Sequence, residues 1–136
     1  MKTLVVVAAA LVGGGAAALL WVYLESRPYY GVVRVRAPGE ITYTALFHGK
    51  ADRELCEGAA SRFEEHLAQA CPQCRVELSR CARSAAAPGD AAYWVSGRTV
   101  RIAITGPEPN ARASCEVTAR ELAGRCDSVA GHPGSR

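Results

Sequence analysis

Six cysteines stand among the 136 residues, and two of them, Cys71 and Cys74, form a CPQC pair. Thiols at this spacing can exchange with a partner's sulfurs, one acting as nucleophile and the other as resolving thiol. The surroundings argue against that use. Exchange pairs are favoured at a helix N-terminus, where the dipole stabilises thiolate, whereas here a helical pattern precedes the pair. The strand-helix-strand opening of a thioredoxin-like domain is also missing. Cys56, Cys71, Cys74 and Cys81 have the ligand chemistry for zinc, but the second half of a paired CxxC knuckle is absent. No metal is therefore assigned. One reading uses Cys56, Cys71, Cys74, Cys81, Cys115 and Cys126 together: a structural disulfide set, as oxidising compartments favour in small domains.

The three histidines, His48, His66 and His132, lack ligand spacing. Glu64 and Glu65 are adjacent on an exposed helix face and point apart, so they make no acid-base pair. There is no serine elbow and no phosphate-cradling glycine loop, and the pattern implies neither a hydrolase nor a cofactor. The remaining candidates are arginines. Arg34, Arg36, Arg75 and Arg101 fall on strand positions that project to one side of a sheet, among Thr42, Thr44 and Thr99 and opposed only by Glu77. Such a face suits an anionic ligand: a lipid head group, an acidic glycan or an acidic protein surface. The plainer reading is a solvated strand face. The formal charge of +3, from 16 basic and 13 acidic residues, is too small an excess for a chain devoted to nucleic acid.

These residues need elements to position them, and the first element is apolar. Thr3 to Leu24 contains no charge, and at about 1.5 Å of rise per residue it spans roughly 33 Å, the depth of a bilayer core. A cleaved signal peptide is the alternative, with Ala16 to Ala18 as the small-residue site. Cleavage there would leave Leu19, Leu20, Trp21, Val22, Tyr23 and Leu24 as an apolar stub, so an uncleaved signal anchor over residues 1–24 is expected. Ala9, Gly13 and Ala17 recur every fourth residue, as do Ala10, Gly14 and Ala18, which suits self-association or another helix. Charges flanking the run do not orient it, but the cysteines do, because all six follow it. The expected location is the inner membrane, single-pass, with the domain in the periplasm or outside.

Beyond a linker at residues 25–30, the domain is expected over 31–126. Gly31 to His48 alternates as a hairpin around Ala37-Pro38-Gly39-Glu40, with proline and glycine in type II order. Asp52 can cap a helix with Leu55, Ala59, Phe63 and Leu67 on one stripe, ending before Pro72. Cys74 to Cys81 alternates again, with Val76 and Leu78 on one face and Arg75, Glu77 and Ser79 on the other. A loop over 82–92 leads to a second hairpin, Tyr93 to Val95 and Thr99 to Thr105. Asn110 can then cap a last helix bearing Cys115, Ala119 and Leu122, and residues 127–136 read as a disordered tail. The order ββαβββα predicts a small antiparallel α+β domain with both helices on one face. No repeat is visible in the sequence.

This order makes Cys56, early in a helix, and Cys81, late in the returning strand, spatial neighbours. A continuous helix would separate Cys56 and Cys71 by roughly 22 Å, which excludes that pair. Cys71 or Cys74 could join the last helix to the first. Cys115 with Cys126 requires the last helix to stop near Gly124 and the chain to fold back. The expected function is a non-catalytic binding or assembly module of the cell envelope, touching the membrane and another envelope protein or a second copy, and no nucleic acid. The competing reading is a membrane-tethered thiol-disulfide oxidoreductase using Cys71 and Cys74.

Overall fold

The computed structural model describes residues 2–129 except 86 and 88, with residues 2–12 as backbone alone. Helix α1, Lys2–Glu25, leads into strand β1, Tyr30–Ala37, which forms a hairpin with β2, Ile41–Phe47. Helix α2, Arg53–Ala70, and strand β3, Arg75–Ala82, complete a first ββαβ unit. The hairpin of β4, Tyr93–Ser96, and β5, Val100–Thr105, is followed by helix α3, Asn110–Glu121, and strand β6, Arg125–Ser128. The sheet order is β3-β1-β2-β5-β4-β6 and every pairing is antiparallel.

That order is a two-fold repeat that the sequence conceals. In each half the third strand returns beneath its helix to pair with the first, and the halves meet where β2 pairs β5. The helices share one face. Val33, Ala45, Ile102 and Val95 are in register across four strands, and they pack with Ala60 of α2 and with Ala111, Cys115 and Ala119 of α3. Small residues on α3 let it lie close to the sheet, while Phe63 of α2 meets Phe47 edge to face at 5.5 Å.

Several expectations change. The sequence from Asp127 does not begin a tail, because Asp127 and Ser128 complete β6; residues 130–136 lie outside the description. Asp52 does cap α2, accepting from the Leu55 N–H at 2.8 Å, but the N-cap of α3 is Pro109, and Asn110 is helical. Leu55 is exposed, since Cys56 takes the inward position that its disulfide demands. Thr99 precedes β5 rather than starting it. Glu25 belongs to α1, and Tyr29 is already bridged to Lys50, so the expected linker shrinks to a few residues.

A β-bulge accounts for the largest difference. In β3, Leu78 pairs Arg34 and Val76 pairs Val35, leaving Glu77 as the extra residue. Val76 and Leu78 therefore do not share a face. Unbroken alternation would put Cys81 on the same side as Arg75, away from α2; the bulge turns Ser79 and Cys81 toward the helices while Arg75 stays on the other side.

Among the described residues no helix is long and apolar enough to cross a membrane. Residues 3–12 of the expected span lie outside the described side chains, as do Ala9 and Ala10 of the small-residue stripe. The part of α1 that is described is exposed throughout, including Leu19, Leu20, Trp21, Val22 and Tyr23.

Candidate functional site

The sheet face opposite the helices carries the arginines. Reading across the register, Arg80, Val32, Leu46, Arg101, Ser96 and Arg125 form one row over all six strands. The next row is Leu78, Arg34, Thr44, Ala103, Trp94 and Asp127, and the third holds Arg75, Arg36, Thr42 and Thr105. All four arginines singled out from the sequence thus share this face. Arg80 and Arg125 join them, the first because of the bulge and the second because β6 exists.

Neither α2 nor α3 covers this face, yet Val32, Thr44 and Ala103 are only 2–3% exposed. Long side chains flank these small residues on the same face and shield them from solvent. Arg101 shows the arrangement: its guanidinium carbon stands 3.9 Å from the centre of the Trp94 ring, a diagonal cross-strand neighbour. Acidic groups answer two of the arginines. Arg36 pairs with Glu77 at 2.9 Å and Arg125 with Asp127 at 3.0 Å, both in exposed positions where an ion pair contributes at most about 1 kcal/mol. Asp127 is thus a second acid on a face expected to hold Glu77 alone.

The cysteines form three disulfides, Cys56–Cys81, Cys71–Cys74 and Cys115–Cys126. The first staples α2 to β3, as the sequence predicts. The third makes the equivalent link between α3 and β6, so each half of the repeat has a helix-to-strand bridge. Cys71 and Cys74 join each other rather than α3. The backbone explains this: α2 ends at Ala70, and the Cys74 N–H donates to the Cys71 carbonyl in a tight turn. The four thiols considered for zinc are consumed in two disulfides.

A groove of about 390 Å³ runs between α2 and α3, floored by Val35, Tyr43 and Ile102 and walled by Phe63, Leu67 and Leu122. The Cys71–Cys74 disulfide lies on its rim. No sequence signal marks this groove, because it exists only where two helices on a six-stranded sheet stand apart.

Two tyrosines mark the ends of the domain. Tyr29, just past α1, accepts a hydrogen bond from Arg83 at 3.1 Å, and its ring is flanked by the guanidinium groups of Arg83 at 5.1 Å and Arg53 at 5.8 Å. The Arg83 hydrogen bond and the neighbouring positive charges hold its phenol below the usual range. Arg83 also donates to the Leu24 carbonyl, tying the end of α1 to the domain. Tyr93 is buried and donates to Glu108, with Arg112 beside it; burial, then the Glu108 hydrogen bond, raises its phenol. Among the described residues no group of three or more His, Cys, Asp or Glu side chains could hold a metal. No protein-family model matches the chain, and no curated protein or solved structure is significantly similar to it.

Proposed function

We propose that the chain is a single-span protein of the inner membrane whose disulfide-braced domain works outside the cytoplasm as a non-catalytic binding or assembly module of the cell envelope. One observation carries the reading: Leu19 to Leu24 are 43–74% exposed, and among the described residues α1 packs extensively on no other element. An apolar rod left uncovered in water loses its burial free energy, about 25 cal/mol for each Å² exposed, so it requires an apolar environment. The described side chains of α1 alone are too short for a span. The uncharged sequence 3–12 supplies the missing length. Full pairing of the cysteines supports an oxidising location. The test is carbonate extraction of membranes from expressing cells, followed by intact-mass measurement. A pellet-bound chain of full mass is expected, and a soluble chain, or one shortened at residues 16–18, refutes the anchor.

A second reading has its own observation. Both cysteines of Cys71–Cys74 are half-buried on the rim of an apolar groove, whereas each of the other two bridges has one fully buried cysteine, Cys56 or Cys115, and one half-buried. In an oxidoreductase, a substrate thiolate would attack one of these sulfurs and release the other as thiolate. The second substrate thiol would then displace the mixed disulfide, so the substrate leaves oxidised and the CPQC pair reduced. Native-state alkylation after graded dithiothreitol decides between the readings. Rapid and selective reduction of Cys71–Cys74, coupled to oxidation of an added dithiol peptide, favours the enzyme.

A further inference from the structure

Antiparallel topology gathers particular chain segments at one end of the sheet. β1 begins there, directly after α1; β2 and β3 finish there; and α2, β5 and β6 begin there. That end is rich in cations. Arg27 lies over the Tyr23 ring at 5.4 Å, Lys50 bridges Tyr29 through the backbone, and Arg53 and Arg83 flank Tyr29. Arg98 occupies the β4–β5 turn, and the row Arg80, Arg101 and Arg125 crosses the sheet only two residues from the start of β1. Five strand spacings make that row about 24 Å wide. Some of the acids at this end are already engaged: Asp52 caps α2, Glu57 faces Arg53 at 3.9 Å and Asp127 pairs with Arg125 at 3.0 Å, leaving Glu25, Glu54 and Glu121. The opposite end carries Glu40, Asp90 and Glu108 together with Arg36, Arg75 and Arg112, so no comparable excess of cations gathers there.

We infer that this basic end, from the α1 exit across Arg80, Arg98 and Arg101, rests on the anionic phospholipid head groups of the leaflet that α1 enters. The inference rests on the membrane reading above and assigns that reading a partner. Charge complementarity selects the partner, and the tether makes it available. Only Ser26, Arg27 and Pro28 separate α1 from Tyr29, and Arg83 clamps both the Leu24 carbonyl and the Tyr29 hydroxyl. So short a link presents the head-group layer to this end at a high effective concentration. Arginines near an anionic surface each strengthen attraction by roughly fivefold, and added salt weakens the effect by shortening the Debye length over which it acts.

The test uses the full chain carrying Trp21→Phe, so that Trp94, under Arg101, is the reporting fluorophore. The chain is reconstituted in vesicles of phosphatidylcholine alone or with 30% phosphatidylglycerol, each doped with head-group nitroxide lipid. Quenching is normalised to each variant's unquenched emission. Stronger quenching in the anionic vesicles is expected, abolished by 0.5 M NaCl and by Arg80→Ser/Arg98→Ser/Arg101→Ser together. Arg36→Ser/Arg75→Ser at the far end should leave it unchanged. Equal quenching in both vesicle types, with the chain resistant to carbonate, overturns this inference alone, as does equal loss in the far-end variant. Extraction by carbonate overturns the anchor and this inference together.

Discussion

At the scale of single residues, environment separates groups of identical chemistry. Tyr29 and Tyr93 are both phenols, but the hydrogen bond and charges of Arg83 favour the anion of the first, while burial and Glu108 favour the neutral form of the second. An alkaline titration followed by tyrosinate absorbance should therefore show Tyr29 ionising before an ordinary tyrosine and Tyr93 after it. Tyr29→Phe should delete the early component. A lowered folded-state value adds stability as pH rises from that value through the usual phenol range, and a raised one removes stability as pH climbs past that range. Ionisation of Tyr93 bears on stability only at alkaline pH, so replacing Tyr93 by Phe should flatten the alkaline loss of stability.

Backbone conformation singles out another pair. Leu122 ends α3, and the Gly124 N–H donates to the Ala119 carbonyl at 2.8 Å while Ala123 donates to Arg120. This Schellman motif puts Ala123 at φ 47°, where glycine is favoured. Ala123→Gly should stabilise the domain by about 1 kcal/mol in a urea unfolding experiment. At the neighbouring position the outcome reverses. A Cβ on Gly124 would meet the Ser96 carbonyl oxygen at 2.4 Å, so Gly124→Ala should lower stability by more than about 1 kcal/mol, through displacement of the turn that launches β6.

At the scale of elements, the disulfides differ in what they constrain. The sequence separations are 25, 11 and 3 for Cys56–Cys81, Cys115–Cys126 and Cys71–Cys74. In the chain-entropy account these closures contribute about 3.5, about 3 and about 1.5 kcal/mol. Replacing both cysteines of a pair by alanine should lower the thermal midpoint in that order, with Cys71→Ala/Cys74→Ala the mildest. A larger loss for the CPQC pair would show that it braces the end of α2 in some further way. The α2 stripe also shows how an element is set by its tightest constraint. Hydropathy places Leu55 inward, but Cys56 must meet Cys81, and a helix rotated to satisfy the covalent bond leaves Leu55 53% exposed. Leu55→Ser should accordingly cost less than about 0.5 kcal/mol, whereas Phe63→Ala, which removes a ring packed on Phe47, should cost about 3 kcal/mol.

At the scale of the whole molecule, the two ββαβ halves share one seam, β2 against β5, with Ala45 and Ile102 opposed at its centre. Each half has its own helix-to-strand disulfide, so loosening one half leaves the other tied. Hydrogen exchange should find the slowest amides at this seam, and they should remain slowest when either long-range disulfide is removed. Fast exchange at the seam in a single-disulfide variant would show that the halves do not fold as one unit. Charge is also distributed at this scale, with the α1 end basic and the far end balanced, Glu40, Asp90 and Glu108 standing against Arg36, Arg75 and Arg112.

Local patterns were enough for the elements whose determinants are local. The first hairpin follows from alternation and from Pro38-Gly39, with Gly39 at φ 79° as its turn requires. The start of α2 follows from Asp52, its end from Pro72, and the Cys56–Cys81 bridge from a strand returning under its helix. The shared face of Arg34, Arg36, Arg75 and Arg101 was legible for the same reason, since strand parity is a sequence property. What remained hidden depends on partners distant in the chain. The bulge at Glu77 exists because β3 must satisfy β1 on one side and α2 on the other. β6 is short and polar, and it becomes a strand only because β4 offers an edge and Cys115 a sulfur. The two-fold arrangement, the groove and the basic end arise from how strands are ordered side by side. No spacing within a single segment encodes that order, because hydrogen bonds between strands are set by three-dimensional packing of apolar faces rather than by neighbours in sequence.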